Sequence, residues 1–157
     1  MKLGIYVDIN NLFHRVGKEY PQRKVDYRKL LGKITDSFVG AEVHKALAYG
    51  FYAENEAAGF ITCLKEIGFI PRYRRYKHIK GAKKFPSWNV GLAMDVIRDL
   101  DVVDQVVICS SDRELIELTR FLQSEKVPTM MLGCGISDTL KGSVDAVIEI
   151  GPDLLIS

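Results

Sequence analysis

Short apolar, β-branched runs alternate with longer stretches of helical periodicity along this chain, and that alternation limits its fold more than any other feature. Residues 3–7 read as a buried strand, and residues 10–18 as a helix that Asp8, Asn10 or Asn11 can cap. Residues 26–38 repeat the helical pattern, with Asp26 as cap and Leu30, Leu31, Ile34 and Phe38 on one face. Residues 42–52 predict a strand, residues 55–67 a helix closed by Gly68, and residues 69–76 a further strand. Pro71 makes that strand start late or lie at an edge. A loop containing Gly81 and Pro86 leads to a helix over 88–100, a strand over 105–109, a Ser-Ser-Asp turn and a helix through Leu122. Strands over 129–132 and 144–150 follow, and Pro152 opens a last helical turn. The pattern predicts an α/β three-layer sandwich, a mainly parallel central sheet flanked by helices. No repeat, low-complexity tract or linker divides residues 1–157, so a single domain is expected.

The bulk numbers agree with that expectation. A chain of 157 residues that is 47% hydrophobic and 27% charged can bury a real core. No apolar run approaches the roughly 20 residues needed to span a bilayer, and Asp8 cuts the first run too short for a signal-peptide core. The reading is a cytoplasmic protein with no membrane partner. Cys63, Cys109 and Cys134 lack metal-ligand spacing, and Cys109 inside an apolar run reads as a buried reduced thiol.

The acids carry the functional signal. Asp8 follows the first strand directly, and Asp112 lies three residues beyond Cys109. In an open parallel sheet, ligands bind beyond the carboxyl ends of the strands, where acids from separate strands can converge. Glu114 is two residues beyond Asp112, and Asp95 lies on the helix leading into that strand. Crowded carboxylates repel one another unless a cation sits among them, and an all-oxygen set suits Mg2+ or Mn2+ rather than zinc. An Asp after a strand also serves as a helix cap, and Asp95, Asp99, Asp101 and Asp104 also read as solvated charges. Position alone leaves both readings open.

Between Phe69 and Trp88 the chain carries seven basic residues, Arg72, Arg74, Arg75, Lys77, Lys80, Lys83 and Lys84, and no acid. Tyr73, Tyr76, Phe85 and Trp88 are interleaved with them, and His78 adds a titratable charge. Cations beside ring faces suit single-stranded nucleic acid, through phosphate neutralisation and base stacking. Arg72 and Arg74 point to one face of a strand and Tyr73 to the other, so the three cannot all share a surface. A solvated basic loop is the plainer alternative. Its position just before the acid-bearing helix favours RNA contact.

Three segments together resemble a known family. Gly4-Ile5-Tyr6-Val7-Asp8-Ile9-Asn10-Asn11-Leu12 resembles the opening of NYN domains, where a strand runs into Asp-x-x-Asn. Trp88-Asn89-Val90-Gly91-Leu92-Ala93-Met94-Asp95 is similar to the family's second motif, Val-Asp-Val-x-Leu-Ala-x-Asp after a basic loop. Val107-Ile108-Cys109-Ser110-Ser111-Asp112-Arg113-Glu114-Leu115 resembles the third, a strand ending in Ser-Gly-Asp-x-Asp-Phe. Ser137, Leu140 and Asp145 are similar to the closing segment. The resemblance implies a PIN-like fold whose acidic Mg2+ or Mn2+ site cuts RNA. Asp8, Asp95, Asp112 and Glu114 then stand as catalytic acids, and Asp8, Asp112, Asp95 and Asn89 as metal ligands. Asn11 joins the nucleic-acid contacts, and Ser110 and Ser111 support the turn. Asn89 and Glu114 replace the family's usual aspartates, and Ser111 its glycine.

The expected function is therefore a metal-dependent endoribonuclease, with single-stranded RNA and a second copy of the chain, forming a homodimer, as candidate partners. Its rival is a catalytically impaired PIN-like module that binds RNA or protein. A receiver domain needs an acidic pair after its first strand, and a haloacid-dehalogenase-like phosphatase needs Asp-x-Asp where this chain has Asp8-Ile9-Asn10. No glycine-rich phosphate loop follows any strand.

Overall fold

The computed structural model describes residues 1–52, 58–76 and 86–156. Six strands form one sheet: β1 (Lys2–Asp8), β2 (Glu42–Tyr52), β3 (Ile70–Arg75), β4 (Gln105–Cys109), β5 (Thr129–Gly133) and β6 (Ala146–Glu149). Their order is β3-β2-β1-β4-β5-β6, and every neighbouring pair is parallel. Helices α1 (Ile9–Glu19), α2 (Tyr27–Ser37), α3 (Ala58–Ile67), α4 (Asn89–Asp99), α5 (Ile116–Ser124) and α6 (Asp138–Lys141) lie among them in the chain.

Alternation along buried strands divides the core in two. Leu3, Ile5 and Val7 of β1 face Leu12, Val16, Leu30, Ile34 and Leu64 from α1, α2 and α3. Tyr6 faces the opposite way, toward Leu92, Val96, Leu118, Leu122 and Leu140 from α4, α5 and α6. Strands buried on both faces read as continuous apolar runs, which is why β1, β4 and β5 are plain in the sequence. Each fully buried Leu or Ile contributes roughly 1.5–3 kcal/mol.

Most expected elements stand within a residue or two of their places. Asp8 and Asp26 cap α1 and α2 through their side chains. Gly68 closes α3 at φ 125°, a backbone shape that L side chains resist. Pro71 marks an edge rather than a late start, since β3 pairs with β2 and ends the sheet. Residues 53–57, where the third helix was expected to begin, lie outside the described residues. The four-residue α6, capped by Ser137, was not anticipated, because so short a helix leaves no periodicity to read. Asp99, expected as a solvated charge, is buried: its carboxylate accepts the Tyr6 hydroxyl at 2.8 Å and the Lys45 ammonium at 3.0 Å.

Candidate metal centre and its surroundings

The strand order reverses between β1 and β4, and the crevice beyond their carboxyl ends is where open α/β sheets bind ligands. Asp8 is the last residue of β1. Val7 pairs with Cys109, the last residue of β4, so the turn that follows rises beside Asp8. Gly133 on β5 makes room for this turn, since a Cβ there would come 2.7 Å from the Ser110 carbonyl oxygen.

Hydrogen bonds fix the acids from both sides. Asp8 Oδ1 accepts the Asn11 N–H at 3.0 Å, while Asn11 Oδ1 accepts the Ser111 N–H at 2.9 Å. The asparagine thus ties the first turn of α1 to the loop after β4. Ser110, fully buried, accepts the Asp112 N–H through Oγ at 3.1 Å. Asp112 Oδ1 caps the next 3-10 turn by accepting the Glu114 N–H at 3.0 Å. Both acids are therefore caps, as the plainer reading held, and both also face the crevice.

Asn89, the first residue of α4, closes the group. Its Nδ2 donates to Asp112 Oδ2 at 2.9 Å and to Glu114 Oε2 at 3.2 Å. Its carbonyl Oδ1 is buried without a hydrogen-bond partner among the described residues. Burial, with Asp112 close by, holds the Asp8 carboxyl up at about 6, against the pull of the Asn11 N–H. His14 of α1 faces Asp8 across the crevice and draws its carboxyl back down, while no lysine or arginine among the described residues is ion-paired with Asp8, Asp112 or Glu114. The donors are all oxygens and one buried carbonyl lacks a partner, so in kind they fit a hard cation. In arrangement, no three acidic, imidazole or thiol groups among the described residues are clustered as a metal cage, and the Asn89 amide nitrogen bridges two of the carboxylates instead.

Asp95 has different company. It accepts the Tyr49 hydroxyl at 2.8 Å, pairs with Arg72, and lies 3.6 Å from Arg98. The structure joins Asp112, Glu114 and Asn89 by hydrogen bonds and sets Asp8 beside Asp112 in the crevice, with Asn11, Ser110 and Ser111 next to them; Asp95 sits in a separate ion-pair network. Arg72 belongs to that network, and the Arg74 guanidinium stacks 3.8 Å from the Trp88 ring centre. Trp88 is itself buried, donating its indole N–H to the Gly50 carbonyl at 2.8 Å. Arg75 is exposed, and Lys77, Lys80, Lys83 and Lys84 lie outside the described residues, as do His78 and Phe85.

A cavity of about 430 Å3 opens beside Asp8, Asn11 and Asp112. Phe51, Tyr76 and Trp88 give it an aromatic wall, and His14 and Arg15 of α1 complete it. His14 and Arg15 belong to none of the acidic or basic motifs of the sequence. Their signal was helical spacing, since residues three and four after Asn11 share its face.

An all-parallel sheet flanked by helices, with acids at its switch point, defines a chain of the PIN-like fold class. It belongs to the NYN domain family, a family of PIN-like nucleases that generally use divalent metals, whose model matches residues 2–151. The fold is shared with the crystal structure of a protein of unknown function from Vibrio parahaemolyticus, which is 24% identical. That match covers 99% of this chain and 96% of the other, with a TM-score of 0.88. No curated protein matches the sequence. No helix among the described residues is long and apolar enough to cross a membrane.

Proposed function

We propose that this protein is a divalent-metal-dependent endoribonuclease that cuts single-stranded RNA at the Asp8–Asp112 crevice. The observation that carries this reading is the gathering of Asp8, Asp112, Glu114 and Asn89 at the switch point of the sheet, with no lysine or arginine ion-paired to the acids among the described residues. Partly buried carboxylates held above their ordinary pKa cost stability, and such costs concentrate where a ligand offsets them.

Asp8, Asp112 and Glu114, which are not grouped as a cage while the Asn89 amide bridges two of them, are the residues that would hold Mg2+ or Mn2+ once that bridge opens, with Asn89 Oδ1 as a neutral ligand. The chemistry such an ion supplies, once bound, is charge neutralisation and activation of a water nucleophile. Asp8 stands on a rigid strand, and Asp112 on a turn that Asn11, Ser110 and Ser111 hold in place. Asp95 acts through Tyr49 and Arg72 as a positioning residue for α4, the helix that carries Asn89. The aromatic wall of Phe51, Tyr76 and Trp88 offers an apolar surface for a base next to the acids.

Cleavage of a labelled RNA should stop in chelator and return with Mg2+ or Mn2+; cutting that ignores chelator ends this mechanism. One observation favours a second reading, a catalytically impaired module that binds RNA or protein. The Asn89 amide already bridges Asp112 and Glu114 as a cation would. Strand binding with no cleavage at any metal concentration would select it.

A further inference from the structure

On the Arg113 side of the acidic group lies a second cavity, which the proposed cleavage chemistry does not use. Its volume is about 400 Å3, and it lies between the turn after β4, helix α5 and helix α6. Arg113 and Arg120 line it with the hydroxyl-bearing Ser137 and Thr139, beside Ile116 and the buried Leu140. Arg113 stands between Asp112 and Glu114 in the chain, so the cavity adjoins the acidic group. Arg120 comes two helical turns later, which returns it to the same side.

Both arginines are exposed, and among the described residues neither has an ion-pair partner. Glu117 and Asp138 sit on the flanking elements, but neither lines the cavity. Ser137 Oγ accepts the Leu140 N–H, a bond that leaves its own hydrogen to donate. A concave site with two guanidiniums, two hydroxyls and no carboxylate suits a phosphate group.

The site also meets a need. A polyanion laid across Asp8 and Asp112 is repelled by them unless cations flank it. Of the described basic residues expected to do this, Arg72 is paired with Asp95 and Arg74 stacks on Trp88, which leaves only Arg75, exposed on the edge strand, outside these contacts. We propose that Arg113 and Arg120 form a phosphate subsite, holding a phosphodiester of the bound RNA strand next to the one being cut, with Ser137 and Thr139 as hydroxyl donors. The assignment rests on the ribonuclease reading.

The test uses a fluorescein-labelled oligouridylate, titrated by anisotropy in chelator over a series of salt concentrations. The double variant Arg113→Gln/Arg120→Gln should bind roughly tenfold more weakly than wild type. Its slope of log K against log salt should shrink by about 1.4, two contacts at ~0.7 each. Arg113→Lys/Arg120→Lys keeps the charge and should recover the slope but only part of the affinity. Equal affinity and slope in wild type and the glutamine variant overturn the subsite, as does a wild type that fails to bind the probe. Inorganic phosphate that binds wild type and not the variant, with RNA affinity equal in both, assigns the cavity to free phosphate and overturns the strand reading. Arginine-dependent binding without cleavage in Mn2+ removes the nuclease function and leaves the subsite standing.

Discussion

Asp95 and Asp99, one turn apart on α4, differ from Asp8 and Asp112 in almost every surrounding except the carboxylate itself. Each α4 acid has a phenol and a cation: Tyr49 and Arg72 for Asp95, Tyr6 and Lys45 for Asp99. Burial, reinforced by those carboxylates, pushes both phenol pKa values up and keeps the hydroxyls protonated as donors. Asp8 and Asp112 have backbone N–H groups, an amide and the His14 ring nearby, but no lysine or arginine partner among the described residues. The first pair of acids is satisfied by the chain and binds α4 to the sheet. The second is left in electrostatic debt, which a ligand from outside can relieve.

Removing one unsatisfied acid should give the largest effect, with opposite signs for activity and stability. Asp8→Asn should lower cleavage at least ~100-fold while keeping the α1 cap, since Asn caps as well as Asp. The folded carboxyl titrates at about 6 against an ordinary value of 3.8, so the folded state binds the extra proton between those limits. Its stabilising contribution is complete below the lower value and is lost as pH rises through about 6. At pH 8 the metal-free variant should therefore be more stable than wild type by ~1–3 kcal/mol, a gain that vanishes near pH 4. Denaturant melts at both pH values decide it, and no gain at pH 8 would mean the Asp8 charge is already compensated. Asp112→Asn should abolish cleavage equally.

The satisfied side should respond the other way. Asp95→Asn strips Arg72 of its partner, and with that side chain 40% exposed the loss should be ~1–2 kcal/mol. Thermal melts should show it, with the rate per folded molecule changed only a few-fold. A collapse in rate with normal stability would move Asp95 into the reacting group.

Asn89→Asp sharpens the contrast by adding one more uncompensated acid. It removes the amide bridge to Asp112 and Glu114, so the metal-free protein should lose ~1 kcal/mol. Affinity for Mn2+ should rise several-fold, a gain of similar size that calorimetry can read. Equal affinities would place Asn89 outside the ligand set. Tyr6→Phe should have the smallest effect, ~0.5–1 kcal/mol in denaturant melts, because Lys45 still holds Asp99.

This contrast was only half legible in the sequence. Acids at the ends of buried strands were readable because an apolar run and the residue that ends it are local features. Whether a helix acid is satisfied was not, since the partners of Asp95 and Asp99 come from β1, β2 and β3 across the fold. Asp99 accordingly read as solvated and Asp95 as a member of the acidic group. The Arg-Tyr-Arg run of β3 predicted its alternation correctly, yet nothing local shows that Arg72 and Arg74 turn inward onto Asp95 and Trp88. Arg113 and Arg120 drew no notice because two isolated arginines make no motif until α6 closes a cavity around them.

The missing Cβ at Gly133 reaches further than its own strand. Because the Ser110 peptide lies where that carbon would be, the height of the Asp112 turn above the sheet is set by β5, a strand that contributes no acid. Asp112 thus leans on a neighbour that no inventory of reacting groups would include. Sequence drift at position 133 would silence the crevice while every acid remained in place.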